Sequence, residues 1–234
     1  MHPFVYKHER SGRVFTVSGE NTVKALKSPR FDRWIRGLPK HLDLWSVNLR
    51  VDLMGIGTTN ERVLFVNVRA TCMDRNIGER AYLTSMLTGD SVGCLIILNC
   101  EHEYYVLLVE QNRPSVGERT REIVAGRMDG ATDPLAKIVE EIREETGLEL
   151  PRNTIRSLTA RPLYTSPGQS DERMHLYACE VKVTREKLES LQGQLHGNPD
   201  ENEKTRLVIL PVNEVHHNSD DMKTGLALQL WLTS

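Results

Sequence analysis

No stretch of these 234 residues approaches the roughly 20 consecutive apolar positions that a membrane-spanning helix needs. The opening MHPFVYKHERSGR likewise lacks the apolar core of a secretory leader. Neither sign of charge is in excess, because 30 Lys and Arg stand against 32 Asp and Glu for a formal net charge of -2. The chain therefore carries no basic footprint, and nucleic acid and membrane surfaces are disfavoured as partners. A small nucleotide is not excluded, since it needs only a local patch. The four cysteines, Cys72, Cys94, Cys100 and Cys179, show no C-x-x-C spacing and lie in apolar, strand-like runs. That pattern argues against structural zinc and for buried thiols in a reducing compartment. Internal repeats and low-complexity tracts are also missing. The expected setting is the cytoplasm, with an organelle address read by a receptor left open.

Apolar residues make up 39% of the chain and charged residues 26%, enough to build a sizeable core and far from a disordered composition. Two textures follow one another. Residues 1–92 read as a small strand-rich module. SPRFDRWIRGLPK predicts a helix, with Ser28 as cap, Pro29 at the first position, and Phe31, Trp34, Ile35 and Leu38 along one face. LWSVNLRVDLMG and RVLFVNVRATCM predict strands separated by a break at Gly55–Asn60. Residues 93–234 read as a second domain. GCLIILNC and EYYVLLVEQNR predict a buried hairpin, PSVGERTREIVAGRMDGATD a Gly- and charge-rich connection, and Asp133 to Gly147 a helix. A strand, a loop and a strand follow, then a polar loop, the strand TRLVILPVNEV and a terminal helix in DDMKTGLALQLWL. Strand pairs alternating with long helices predict α/β or α+β packing.

The long helix, VEEIREETGLEL at its C-terminal end, gathers Glu140, Glu141, Glu144 and Glu145 on two adjacent turns, where like charges repel. Asp133 predicts its N-cap, Pro134 its first position and Gly147 its left-handed end. Glu141, Glu144 and Glu145, related by i+3 and i+4, share a face, while Leu135, Ile138, Val139 and Ile142 turn toward a sheet. Taken alone, such a cluster reads first as a solvated charged face. The sharper reading is a site for Mg²⁺ or Mn²⁺, hard cations that prefer clustered oxygen ligands.

The spacing favours the sharper reading. Gly126, Glu141, Ile142, Glu144, Glu145, Gly147 and Leu148 fall into register with the pattern G-x5-E-x7-R-E-U-x-E-E-x-G-U, U being aliphatic. The segment resembles the box of the Nudix hydrolase superfamily. Two positions depart from it: Thr132 stands where the box has Glu, and Glu140 where it has Arg. In the family that Arg helps to orient the glutamates by charge pairing. Upstream, Glu110, Gln111, Arg113, Glu122, Ala125 and Gly126 resemble the E-Q-x-R and E-hydrophobic-P-A-G segments of ADP-ribose and ADP-sugar diphosphatases, with Val124 in place of Pro. Downstream, Ser166, Pro167, Gly168, Asp171 and Glu172 resemble the S-P-G-x-x-D-E loop of the same branch.

The resemblance implies an α/β/α sandwich with a mixed sheet, preceded by the N-terminal module, which would support a homodimer and help shape the nucleotide pocket. It implies Mg²⁺, with Mn²⁺ as the alternative, held by Glu141, Glu144, Glu145 and the carbonyl of Ala125. Arg113, with Gln111 and Glu122, would bind the diphosphate or its sugar, and Glu172, or else Glu145, would be the general base. The implied reaction is hydrolysis of a nucleoside diphosphate sugar to AMP and a sugar phosphate. For Arg113 a surface ion pair is the competing reading, and for the Pro167–Gly168 turn a plain strand connection. Tyr164, Arg161 and Pro162 read equally as pocket lining and as ordinary loop packing. Thr132 and Glu140 keep a second class open, a Nudix-fold nucleotide-binding module without turnover. A Nudix enzyme for another nucleotide is a further alternative.

Overall fold

The computed structural model describes residues 2–54, 62–198 and 204–234, so the break expected at Gly55–Asn60 lies outside the described residues. The chain divides into two compact units, one of residues 1–89 and 164–172 and the other of residues 90–163 and 173–234.

The first unit contains β1 (Phe4–Lys7), β2 (Val14–Gly19), α1 (Thr22–Lys27), α2 (Pro29–Gly37), β3 (Leu42–Met54), β4 (Arg62–Asp74) and β5 (Glu79–Leu87). Its strands form one sheet in sequence order, antiparallel except where β2 meets β3. A parallel pair needs a crossover, and α1 and α2 provide it. Helix α2 begins where its sequence says, with Ser28 accepting from the Arg30 N–H and Pro29 at its start. Its Phe31 and Ile35, one turn apart, are buried with Phe15, Val17, Val47, Leu49, Val66 and Val68. Each such side chain stabilises the unit by roughly 1.5–3 kcal/mol. Strand alternation turns Asn48, Arg50 and Arg69 outward. The segment 164–172 is tied to this unit by its backbone and by Asp171. The Met86 N–H donates to the Gln169 carbonyl at 2.9 Å. The Asp171 carboxylate accepts from the N–H groups of Thr88 (2.8 Å) and Gly89 (3.2 Å) and pairs with Arg33.

The second unit contains β6 (Ser91–Cys100), β7 (Glu103–Arg113), β8 (Glu118–Glu122), β9 (Val124–Arg127), α3 (Pro134–Thr146), β10 (Ile155–Ser157), β12 (Arg173–Lys182), α4 (Arg185–Leu191), β13 (Leu195–His196), β14 (Thr205–Pro211), α5 (Val215–Asn218) and α6 (Met222–Leu232). The short β11 (Leu163–Tyr164) falls at the division between the units. The main order is β10-β12-β6-β7-β14-β13, with β8 on β7 and β9 on β6. β12 and β6 run parallel whereas β6 and β7 run antiparallel, so the sheet is mixed.

The run SVGCLIILNC of β6 is buried almost throughout, as befits a central strand covered on both faces. Its alternation sorts the core. Val92, Cys94, Ile96 and Leu98 pack with Ile138 and Ile142 of α3 and Leu188 and Leu191 of α4. Leu95 and Ile97 pack with Val215 of α5 and Ala227 and Leu228 of α6. Helices thus cover both faces, the expected α/β/α arrangement. The four cysteines are free and buried, as expected.

Two expectations need correcting. The connection before α3 holds two strands, β8 and β9. ERTRE has no apolar alternation to announce a strand, and its order comes from backbone pairing with the end of β7. Helices α1 and α4 were likewise not expected. The boundaries of α3, by contrast, fall where the sequence places them. Asp133 accepts from the N–H groups of Leu135 (3.0 Å) and Ala136 (3.1 Å), and Gly147 ends the helix at φ 68°.

Candidate active site

The apolar side of α3 decides where its carboxylates go. Ile138 and Ile142 are fully buried, and Glu141 and Glu145 follow each by three positions along the same flank. Both are nearly buried themselves, 7% and 3% exposed. Burying a carboxylate is costly unless donors or cations meet it. Here they do. The Ala125 N–H of β9 donates to Glu145 Oε2 at 3.2 Å. Lys137, one turn before Glu141, places Nζ 2.7 Å from Glu141 Oε1 and 3.1 Å from Glu140 Oε1. Burial alone would lower the Lys137 pKa, but the hydrogen bonds and charges of Glu141 and Glu140 raise it overall, and the ammonium persists. Glu144 is half-buried and its Oε2 accepts from Asn198 Nδ2 at 3.3 Å.

Gly126 has a specific reason. A Cβ at that position would stand 2.0 Å from Glu141 Oε1 and 2.6 Å from Oε2. Only glycine lets the carboxylate lie against the strand backbone. Glu141 and Glu145 therefore face neighbouring positions of β9, with the half-buried Glu144 on the turn that joins them. Such an all-oxygen donor set suits Mg²⁺. Among the described residues no three acidic, histidine or cysteine side chains form a ready-made cage.

Arg113 and Glu122 form a second centre. Arg113 Nε and Nη2 meet Glu122 Oε1 and Oε2 at 2.7 and 2.9 Å, a two-point pair at the ends of β7 and β8. Thr120 Oγ1 also donates to Glu122, and Lys223 Nζ at the start of α6 lies 3.2 Å from its Oε2. Glu122 is 4% exposed. Burial works to raise its pKa, yet Arg113, Lys223 and Thr120 together bring it down to about 2. Gln111 is half-buried and lies opposite Thr120 across the same strand pair.

Glu172 closes the segment tied to the first unit; its Oε2 accepts from Thr165 Oγ1 at 2.7 Å, and its N–H donates to Ser170 Oγ at 3.1 Å. Tyr164 is exposed, as are Thr132 and Glu140. Sequence reasoning passed over Lys137, Thr120, Asn198 and Lys223. The i+4 spacing to Glu141 was a usable signal for Lys137. Lys223 offered none, since it lies 101 residues from Glu122.

Comparison with known proteins bears on this arrangement. The NUDIX domain profile matches residues 87–228. Nudix hydrolase 14, chloroplastic, from Arabidopsis thaliana is 26% identical over 227 residues, covering 92% of this chain and 74% of that protein. The ADP-ribose pyrophosphatase of Bacillus subtilis (strain 168) is 30% identical over 138 residues, 58% of this chain and 70% of its own. Among solved structures, an ADP compounds hydrolase superposes with a TM-score of 0.57 at 14% identity, over 84% of this chain and 96% of that one. At that identity the likeness speaks to the fold alone.

Proposed function

This chain belongs to the NUDIX domain family and is a Nudix hydrolase, and from that premise we propose that it cleaves the diphosphate linkage of an ADP-sugar, ADP-ribose or ADP-glucose, to AMP and a sugar phosphate with Mg²⁺. The observation that carries this reading is the placement of Glu141 and Glu145, nearly buried and set against Ala125 and Gly126 by a glycine that leaves room for nothing larger. The relatives add support by their names, an ADP-ribose pyrophosphatase among them.

In this mechanism Glu141, Glu144, Glu145 and the Ala125 carbonyl would hold Mg²⁺, with Mn²⁺ as the alternative. When bound, the metal would supply neutralisation of phosphate charge and activation of water. The protein's own residues do the rest. The Ala125 N–H and Lys137 fix the carboxylates in place, so they need no rearrangement as charge develops. Arg113, held by Glu122, presents the outer edge of its guanidinium to the diphosphate or its sugar, with Gln111 beside it. Glu172 takes the proton of the attacking water, its carboxylate steadied by Thr165; Glu145 is the alternative base. Residues 1–92 are assigned to a homodimer and the cytoplasm to the setting, with organelle targeting kept open by the chloroplastic relative. No helix among the described residues is long and apolar enough to cross a membrane.

The test is phosphate-coupled turnover of ADP-ribose and ADP-glucose with Mg²⁺, comparing the intact chain with Glu144→Gln plus Glu145→Gln. AMP release is expected from the intact chain, reduced by at least about 10³-fold in the double variant, an effect of about 4 kcal/mol on the barrier. No release from either sugar with Mg²⁺ or Mn²⁺ would sink the assignment. If heat stabilisation by Mg²⁺ accompanied that silence, the chain would be a binding module.

A further inference from the structure

The box this chain resembles places an arginine immediately before its first metal-binding glutamate, where charge pairing orients the carboxylates. Here that position is Glu140, an acid that should repel what the arginine would attract. The structure shows where the missing cation went. Lys137 Nζ stands 2.7 Å from Glu141 Oε1, and the same ammonium holds Glu140 Oε1 at 3.1 Å. The Lys137 side chain is only 16% exposed, whereas Glu140 is 48% exposed. We infer that Lys137 is the positioning residue for Glu141, supplying from one helical turn earlier the orienting charge that Glu140 cannot give. This inference rests on the metal-dependent reading of α3 given above.

Geometry explains why a lysine at this place can do it. Helical side chains lean toward the N-terminus, so Glu141 inclines over the turn that carries position 137. The four-carbon stem of Lys137 is long enough to meet it there. The target is constrained on its other side, because the carboxylate lies on Gly126 with no room for a Cβ. Glycine beneath and ammonium beside both constrain the Glu141 carboxylate. Glu140 is tied to the same Nζ, and the repulsion expected between the neighbours is met by the charge they share. Glu140 and Lys137 thus act together, as an exchange of an arginine at position 140 for a lysine one turn back. Groups that orient metal ligands in this way typically govern metal affinity or activity by 10–100-fold.

The experiment follows Mn²⁺ binding to the intact chain by electron paramagnetic resonance, alongside AMP release and Tm. It compares Lys137→Met, Lys137→Arg, and Lys137→Met combined with Glu140→Arg; Lys137→Gln replaces the methionine variant if that does not fold. Lys137→Met is expected to weaken Mn²⁺ binding about ten-fold or more and to lower kcat by a similar factor, with a lower Tm as well because the buried Glu141 loses this cation. Lys137→Arg should stay within about three-fold of the intact chain. Adding Glu140→Arg, which restores the box, should recover most of the loss, and a merely structural lysine would not be rescued this way. Unchanged Mn²⁺ binding in Lys137→Met, or no recovery with Glu140→Arg, overturns the inference. Tighter Mn²⁺ binding also overturns it, by making Lys137 a competitor of the metal. Absence of Mn²⁺ binding to the intact chain overturns it together with the metal reading. Lysine-dependent Mn²⁺ binding without AMP release supports it and sinks the substrate assignment alone.

Discussion

Among its described residues the second unit buries carboxylates in two places, and it surrounds them differently. At the β7–β8 end, one acid, Glu122, collects Arg113, Lys223 and the Thr120 hydroxyl. On α3 four glutamates share a helix with Lys137 and Arg143, and the nearly buried Glu141 draws on the same lysine as Glu140. A carboxylate with several cations around it has its charge already neutralised. Carboxylates gathered on one helix, two of them sharing a single lysine, are an arrangement suited to a divalent ion. The same residue type is therefore expected to answer to different measurements in the two places: stability at Glu122, turnover on α3.

The largest expected effect is on Glu122. Changing it to Ala strands Arg113 and Lys223 beside a hole in a largely buried network. Breaking one partner of such a group costs about 3–5 kcal/mol, which for a chain of this size lowers Tm by roughly 10 °C. Next comes Gly126→Ala. The added Cβ would stand 2.0 Å from Glu141 Oε1, the mobile end of a side chain and not backbone, so the fold yields by displacing that carboxylate. A fall in kcat of about 100-fold with Tm nearly unchanged is expected, since small misplacements at a reacting centre cost that much. The comparison breaks if the readouts cross, with Glu122→Ala silent in Tm or Gly126→Ala melting the protein while sparing turnover.

How much of this could be read in the sequence depends on distance along the chain. Helix α3 was fully legible because its signals are local: Asp133 and Pro134 at one end, Gly147 at the other, Ile138 and Ile142 between. The spacing that brings Gly126 against Glu141 was legible through its resemblance to the box, though not the physical reason for it. Strands β8 and β9 were not, because ERTRE owes its conformation to pairing with β7 and not to its own pattern. For Arg113 the sequence offered both a phosphate contact and an ion pair. The fold supplies the ion pair, with an acid nine residues on across the β7–β8 hairpin. That Lys223 would join them lay beyond any local signal. In the segment 164–172 the Pro167–Gly168 turn was visible, but not that Asp171 would anchor it by accepting two backbone N–H groups.

A smaller effect separates the two centres by pH. The Glu122 carboxyl titrates near 2 in the folded chain against an ordinary 4.5. A group whose folded pKa is depressed stabilises above its unfolded pKa and loses that contribution as pH falls through the folded one. The acid limb of stability should therefore decline between about pH 4.5 and pH 2, by at most about 3 kcal/mol from this group. In Glu122→Gln that part of the decline should vanish, measured by urea unfolding across the range. An unchanged acid limb would mean the network is looser than its distances state.

The smallest expected effect uses the other glycine of the α3 region as a control on the first. Gly147 holds φ 68°, where an L side chain is strained, and a Cβ there would meet His196 Cε1 at 2.6 Å. Gly147→Ala should cost about 1 kcal/mol for the left-handed cap, with somewhat more if the imidazole cannot move aside. The cap lies beyond Glu145 and touches none of the carboxylates that face β9, so kcat should stay within a few-fold while Tm drops by roughly 2–4 °C. Gly126→Ala and Gly147→Ala make the same chemical change on either side of one helix. If the first lowers turnover at constant Tm and the second lowers Tm at constant turnover, the two glycines serve different ends. One makes room for a carboxylate, and the other ends the helix that carries it. Equal losses of turnover in both would instead place the sensitivity in the helix as a whole, and the local argument for Glu141 resting on Gly126 would fall.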